Sequence, residues 1–170
     1  MRRLLWLVAV AASSVACSRS QVQPQPQVNR EPDFRAFLAQ WEHAQSRFIN
    51  GDPTSWKRNA SHKEDVTIFG AFGGSEKGWK DVGPRNDWAS SQFKESGAAQ
   101  RIDYLNTGTS GDLAFTVAIE RQQAQIQGQD KPTARVLRVT QVFRRESGVW
   151  KLLHRHADPL VERLPPGARR

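Results

Sequence analysis

Four side chains toward the C-terminal end of the chain could do chemistry together: Glu120, Arg138, His154 and His156. Side chains of a strand alternate with a period of two. In the stretch from Val136 to Asp158, VLRVTQVFRRESGVWKLLHRHAD, Val136, Arg138, Thr140 and Val142 therefore share one face of a first strand. After the turn Glu146-Ser147-Gly148, Trp150, Leu152, His154 and His156 share one face of a second. Polar groups on faces otherwise made of Val, Trp and Leu cost free energy to bury unless they are hydrogen-bonded. The pattern predicts a polar-lined pocket against a curved sheet, with Thr140 and His156 in its lining. His154 is the candidate general acid or base, because histidine titrates near neutral pH, and Glu120 or Asp158 would orient it. Arg138 can pair a ligand carboxylate bidentately, or be satisfied by Glu120 inside the fold. His154 and His156 could also hold a metal, but a zinc site needs a third protein ligand. Glu120 is the one candidate for that place, and no cysteine lies inside the domain. No metal is expected, nothing calls for a cofactor, and no Ser or Thr sits on a nucleophile elbow.

These groups need elements to hold them. From Asp33 to Asn50, Phe34, Phe37, Leu38, Trp41, Ala44 and Phe48 recur at spacings of three and four, which predicts an amphipathic helix. Asp52-Pro53 suits the start of a short second helix around Thr54 to Ala60. Val66 to Phe69 is β-branched and aromatic, hence a strand, and Gly70, Phe72, Gly73 and Gly74 make the turn after it. Gly78 opens a third helical segment with Trp79, Val82, Ala89 and Phe93 on one face; Gly83-Pro84 should kink or interrupt it, and Ser96-Gly97 should end it. Phe69, Phe72 and Trp79 are candidates for an apolar pocket wall or for plain core packing. Strands follow from Gln100 to Thr107 and from Leu113 to about Ile126, before the pair already described. In the second of these, Leu113, Phe115, Val117 and Ile119 make a bulky face, and Ala114, Thr116, Ala118 and Glu120 a small one. Either the small face leaves space that Glu120 enters, or it faces solvent with Glu120 as a surface acid. Helices first and strands later predict an α+β domain with helices on one face of a bent antiparallel meander. The other face needs a cover, so a homodimer is expected, with residues around Phe143 and Leu153 in the twofold contact.

The N-terminus reads as an export signal. Met1-Arg2-Arg3 is basic, Leu4 to Ala12 is apolar but shorter than the ~20 residues that span a bilayer, and small residues precede Cys17. Cys17 is the chain's one cysteine, so no intramolecular disulfide forms. Its setting resembles a bacterial lipobox, in which the cysteine is lipidated. The expected organisation is a signal peptide over 1–16, a Gln/Pro/Ser-rich tether over 17–32, a domain over 33–162 and a disordered tail over 163–170. The expected location is the cell envelope, anchored by lipid and facing the periplasm from the outer membrane; an ordinary signal peptide cut near Ala16 would instead leave the chain periplasmic or secreted. Formal charge is +8, but Arg2, Arg3, Arg169 and Arg170 supply four of those charges, and the rest are scattered. A nucleic-acid binder would show a basic stripe with interleaved aromatics, so nucleic acid is not an expected partner.

The chain also resembles the SnoaL-like, nuclear transport factor 2-like superfamily, which includes ketosteroid isomerase. The resemblance runs from roughly Asp33 to Leu160. It rests on the leading helix ending in Asn50-Gly51-Asp52, the strand Asp65 to Gly70, Gly78-Trp79, Ser110 to Ala114, Arg138-Val139-Thr140, Gly148 to Leu152 and His154-Arg155-His156-Ala157-Asp158. The H-x-H is also similar to the end of the association domain of calcium/calmodulin-dependent kinase II. The resemblance implies a cone, with three helices closed over the concave face of a strongly curved antiparallel sheet, a pocket at its mouth and a homodimer across the sheet. It chooses no reaction, because one fold hosts many chemistries; the isomerase-type catalytic acids have no identifiable counterpart here. The sequence therefore supports a small apolar or anionic ligand bound in the pocket, or a lyase- or isomerase-type enzyme using His154 and Glu120.

Overall fold

The computed structural model describes residues 29–163 and 165. The expected signal segment, Cys17 and most of the tether lie outside the described residues, as does the tail beyond Arg163 apart from Pro165. Helix α1 (Glu31–Phe48) starts two residues before the expected domain boundary. Asn29 Oδ1 accepts the Glu31 N–H at 3.0 Å, and Pro32 in the first turn has no N–H to leave unpaired. A short α2 (Thr54–Asn59) follows, entered through Asp52, whose Oδ1 accepts the Thr54 N–H at 2.8 Å. Strands β1 (Thr67–Phe69) and β2 (Ser75–Lys77) precede α3 (Trp79–Ser91). The long strands β3 (Ala99–Ser110), β4 (Leu113–Ala124), β5 (Thr133–Glu146) and β6 (Val149–Pro159) complete the chain.

The expectation for α3 needs correcting: the helix runs unbroken through Gly83-Pro84 and ends at Ser91. Pro84 is exposed and lies early in the helix, so its ring meets solvent and one backbone hydrogen bond is lost without ending the helix. Phe93 lies beyond the helix and bridges to Ile126.

The six strands form one sheet in the order β2-β1-β6-β5-β4-β3, antiparallel except where β1 runs parallel to β6. The β5–β6 hairpin closes through Ser147 and Gly148, both at positive φ, the geometry of a tight turn matched to strand twist. Extra residues interrupt two pairings, Leu105 in β3 and Leu153 in β6. Such bulges add twist and bend a sheet. The curved, unclosed sheet carries the helices on its concave face, giving the α+β cone.

The main core is aromatic. Phe34, Phe37 and Trp41 of α1 and Trp56 of α2 meet Phe143, Trp150 and Leu152 on the sheet. Phe34 stands 5.3 Å from Phe143 and 5.1 Å from Trp150, ring centre to ring centre, and Trp41 stands 5.5 Å from Trp56. Each such pair adds about 0.5–1.5 kcal/mol beyond its buried area. Phe143 itself is fully buried in this core and does not belong to the face left open to a second copy.

Candidate functional site

The inner face of each strand is set by what packs beneath α1. On β4 this face is Ala114, Thr116, Ala118, Glu120 and Gln122, all buried, while Leu113, Phe115, Val117 and Ile119 point outward. The small face therefore fronts the interior, and Glu120 is 1% exposed. On β5, Phe143 fixes the parity: Leu137, Val139 and Gln141 are inside with it. Arg138 and Thr140, expected in the pocket, are exposed on the outer face. There Arg138 pairs with Asp158, its Nε donating to Oδ1 at 3.2 Å.

On β6 the Leu153 bulge changes parity. Trp150 and Leu152 point inward, but after the extra residue Arg155 and Ala157 do so. His154 and His156 consequently take the outer face, opposite the side expected from strict alternation. His154 Nδ1 shares a 2.8 Å hydrogen bond with Thr67 Oγ1, and Phe69 stands edge-on to both histidine rings. Burial, then the neighbouring His156, holds the His154 pKa below the usual histidine value. Among the described residues, no three His, Cys, Asp or Glu converge as metal ligands.

Glu120 meets Arg155 instead. Arg155 Nη1 and Nη2 donate to the two carboxylate oxygens at 2.8 and 2.7 Å. Gln45 of α1 donates to Oε1 at 2.8 Å, and Gln122 donates to Oε2 at 3.5 Å. A buried carboxylate needs this much compensation. The expected cluster of Glu120, Arg138 and His154 is thus not assembled: the first is inside the cone, the other two outside it.

Above this ion pair lies a small cavity of about 60 Å³, between α1, α3, the β1–β2 turn and the sheet. Phe48, Ile68, Phe72, Phe93, Leu137 and Ala157 make its apolar walls. Of the aromatic residues singled out from sequence, Phe72 lines it. Phe69 lies outside the cone, and Trp79 stacks on His62 at 3.7 Å. The polar lining is Gln45, Arg85, Asn86, Gln122, Arg135 and Arg155. Arg85 donates from Nε to Glu76 at 3.2 Å and from Nη2 to the Gly73 carbonyl at 2.8 Å. It passes so near Gly70 that a Cβ there would come within 2.9 Å of Nη2. Arg135 lies over the rings of Phe72 and Phe93, at 4.6 and 5.4 Å from their centres.

Sequence reasoning overlooked Arg135, Arg155, Gln45 and Gln122. Two had a signal. Gln45 interrupts the apolar stripe of α1, and Gln122 continues the small face of β4.

The sequence model of the SnoaL-like domain matches residues 59–162. No curated protein matches the sequence. Among solved structures, a nuclear transport factor 2-like superfamily protein from Salmonella enterica aligns over 82% of this chain and 99% of its own, with 14% identity and a TM-score of 0.69. A proposed dehydratase of the same family from Streptomyces avermitilis aligns over 79% and 100%, with 16% identity and a TM-score of 0.64. A proposed calcium/calmodulin-dependent protein kinase II association domain from Xanthomonas campestris aligns over 82% and 94%, with 13% identity and a TM-score of 0.63. At these identities the likeness establishes the fold.

Proposed function

Since the chain belongs to the SnoaL-like family, we propose that it is an exported, lipid-anchored binding domain that holds a small, largely apolar molecule in its cone. One observation carries the binding reading: the cavity is formed and largely apolar, yet its lining contains no His, Asp, Glu, Lys, Cys, Ser, Thr or Tyr. Acid–base or nucleophilic catalysis needs such a group within reach of the bound molecule. Glu120 lies behind Arg155 with both carboxylate oxygens engaged, and His154 is on the opposite face of the sheet. A lyase or isomerase built on that pair therefore gains no support from the geometry, whereas an apolar cavity with a few fixed polar groups is what small-molecule binding requires.

Anchoring rests on the basic and apolar segments before Cys17; acyl chains contribute roughly 0.8 kcal/mol per buried CH₂. The Cys17→Ser variant should leave the membrane fraction, and unmodified wild-type chain in the soluble fraction would refute the anchor. A homodimer across the outer face of the sheet completes the proposal, since Phe69, Phe115 and Leu113 are 40%, 39% and 49% exposed there.

Titration with N-phenyl-1-naphthylamine, a neutral apolar fluorophore, tests the cavity. Wild type should enhance its emission saturably, and Ala89→Phe, which fills the cavity from α3, should abolish the enhancement while the chain stays folded. Emission unchanged by wild type, or equal for both proteins, contradicts the binding reading.

A further inference from the structure

The charges around the cavity do not cancel. Arg155 is neutralised by Glu120, and Arg85 by Glu76. No carboxylate among the described residues lies within 4.0 Å of Arg135. Three cations against two anions leave one positive charge, and it sits where Arg135 crosses the cavity over Phe72 and Phe93. Burial and the nearby Arg155 lower the Arg135 pKa, with Glu120 opposing. A guanidinium stays charged under all ordinary conditions, so its ionised form is held at a cost that a bound anion would offset.

Two further groups each carry one unpaired atom. Gln122 is 7% exposed, faces the cavity and directly opposes Arg135 in the register of β4 and β5, yet its Oε1 is buried and accepts nothing. Arg85 Nη1 is likewise buried without an acceptor. Buried polar atoms are almost always paired, and an unmade bond to an enclosed amide is costly. Arg85 Nη1 is matched by an equally unpaired Glu76 Oε2 in the same ion pair, so a cation without a carboxylate and one unpaired acceptor remain around the apolar cavity.

We propose that the cavity selects a monoanion: a small apolar carboxylate that also carries a hydroxyl. The carboxylate is held by Arg135, and the hydroxyl donates to Gln122 Oε1. This rests on the binding reading above and adds to it the ligand's charge and its donor. Arg135 supplies a planar pair of N–H groups matched to a carboxylate. Its stacking on Phe72 and Phe93 holds the fork in place before the ligand arrives. The Glu120–Arg155 pair contributes no net charge, so it does not compete for the anion.

Three matched compounds test this on the full purified chain by isothermal titration: 4-hydroxyphenylacetate, phenylacetate, which lacks the hydroxyl, and 2-(4-hydroxyphenyl)ethanol, which lacks the charge. Wild type should bind the first about tenfold or more tightly than the uncharged alcohol, and more tightly than phenylacetate. Arg135→Met should remove the advantage over the alcohol without weakening the alcohol itself. Arg135→Lys should restore part of it, which separates lost charge from lost folding. Gln122→Leu also removes a donor to Glu120, so among variants that stay folded by circular dichroism it should abolish the advantage over phenylacetate and keep the advantage over the alcohol. If the alcohol binds wild type as well as the acid does, the cavity binds ligands but does not select an anion, and the proposal fails alone. If the acid's advantage survives Arg135→Met, the anion is held elsewhere and the assignment to Arg135 is overturned. If none of the three binds, the monoanion proposal fails; if N-phenyl-1-naphthylamine also fails to bind, the binding reading falls with it.

Discussion

Beneath the helices, Arg155, Gln45 and Gln122 surround the two carboxylate oxygens of Glu120. Removing one partner of such a pair strands the other charge, which costs about 3–5 kcal/mol, whereas replacing both by apolar groups is often nearly neutral. Glu120→Gln should therefore lower the urea midpoint strongly, and Glu120→Leu combined with Arg155→Met should lower it less. His154 obeys separate physics. Its pKa is depressed in the folded chain, so below about pH 6.5 the unfolded chain binds the extra proton first. The stability this group contributes is complete above that pH and is lost as pH falls toward the folded-state pKa. Replacing His154 with Asn should flatten the change in urea midpoint between about pH 8 and about pH 5. Because Glu120 and His154 occupy opposite faces, Glu120→Gln should leave the His154 NMR titration where it is in wild type. A shift in that curve would show the two to be coupled after all.

At the scale of the element, Leu153 decides which side chains enter the cone. It is the extra residue between the pairs Phe143–Leu152 and Val142–His154. Without it, alternation from Leu152 would send His154 inward and Arg155 outward. Deleting Leu153 should thus break the Glu120–Arg155 pair and cost far more stability than Leu153→Ala, which keeps the extra residue. Equal losses in the two variants would mean that the bulge does not set the parity. The same residue explains what was legible in the sequence. Helix α1, the order of the long strands and the division of β4 into a bulky and a small face are readable, because their periods persist over several turns or residue pairs; which face of β4 points inward is not. Nor is the face of β5. Leu137, Val139, Gln141 and Phe143 compete with Val136, Arg138, Thr140 and Val142, and only packing under Phe34 and Trp41 selects the first set. A bulge leaves no mark on composition, so strict alternation carried His154 and His156 to the wrong side and missed Arg155. Arg135, one residue ahead of the expected strand, was overlooked for a related reason: the strand begins earlier than its apolar run, at Thr133.

For the whole molecule, the helices cover one face of the sheet, and the opposite face shows Phe69, Phe115 and Leu113 with Val117 and Ile119 between the strands. If this face is shared by two copies, Phe115→Arg should convert a dimer to a folded monomer in sedimentation. A wild-type chain already monomeric at micromolar concentration would remove the dimer from the account. At the centre of the molecule is the cavity, a small apolar space that the chain leaves unfilled while crowding three arginines around it. The most direct test is native mass spectrometry of the full chain taken gently from the cells that make it. The account predicts a discrete added mass of a few hundred daltons at most, lost on denaturation, diminished in Arg135→Met and absent in Ala89→Phe. A chain that carries the same added mass in all three proteins, or none in wild type, would contradict it.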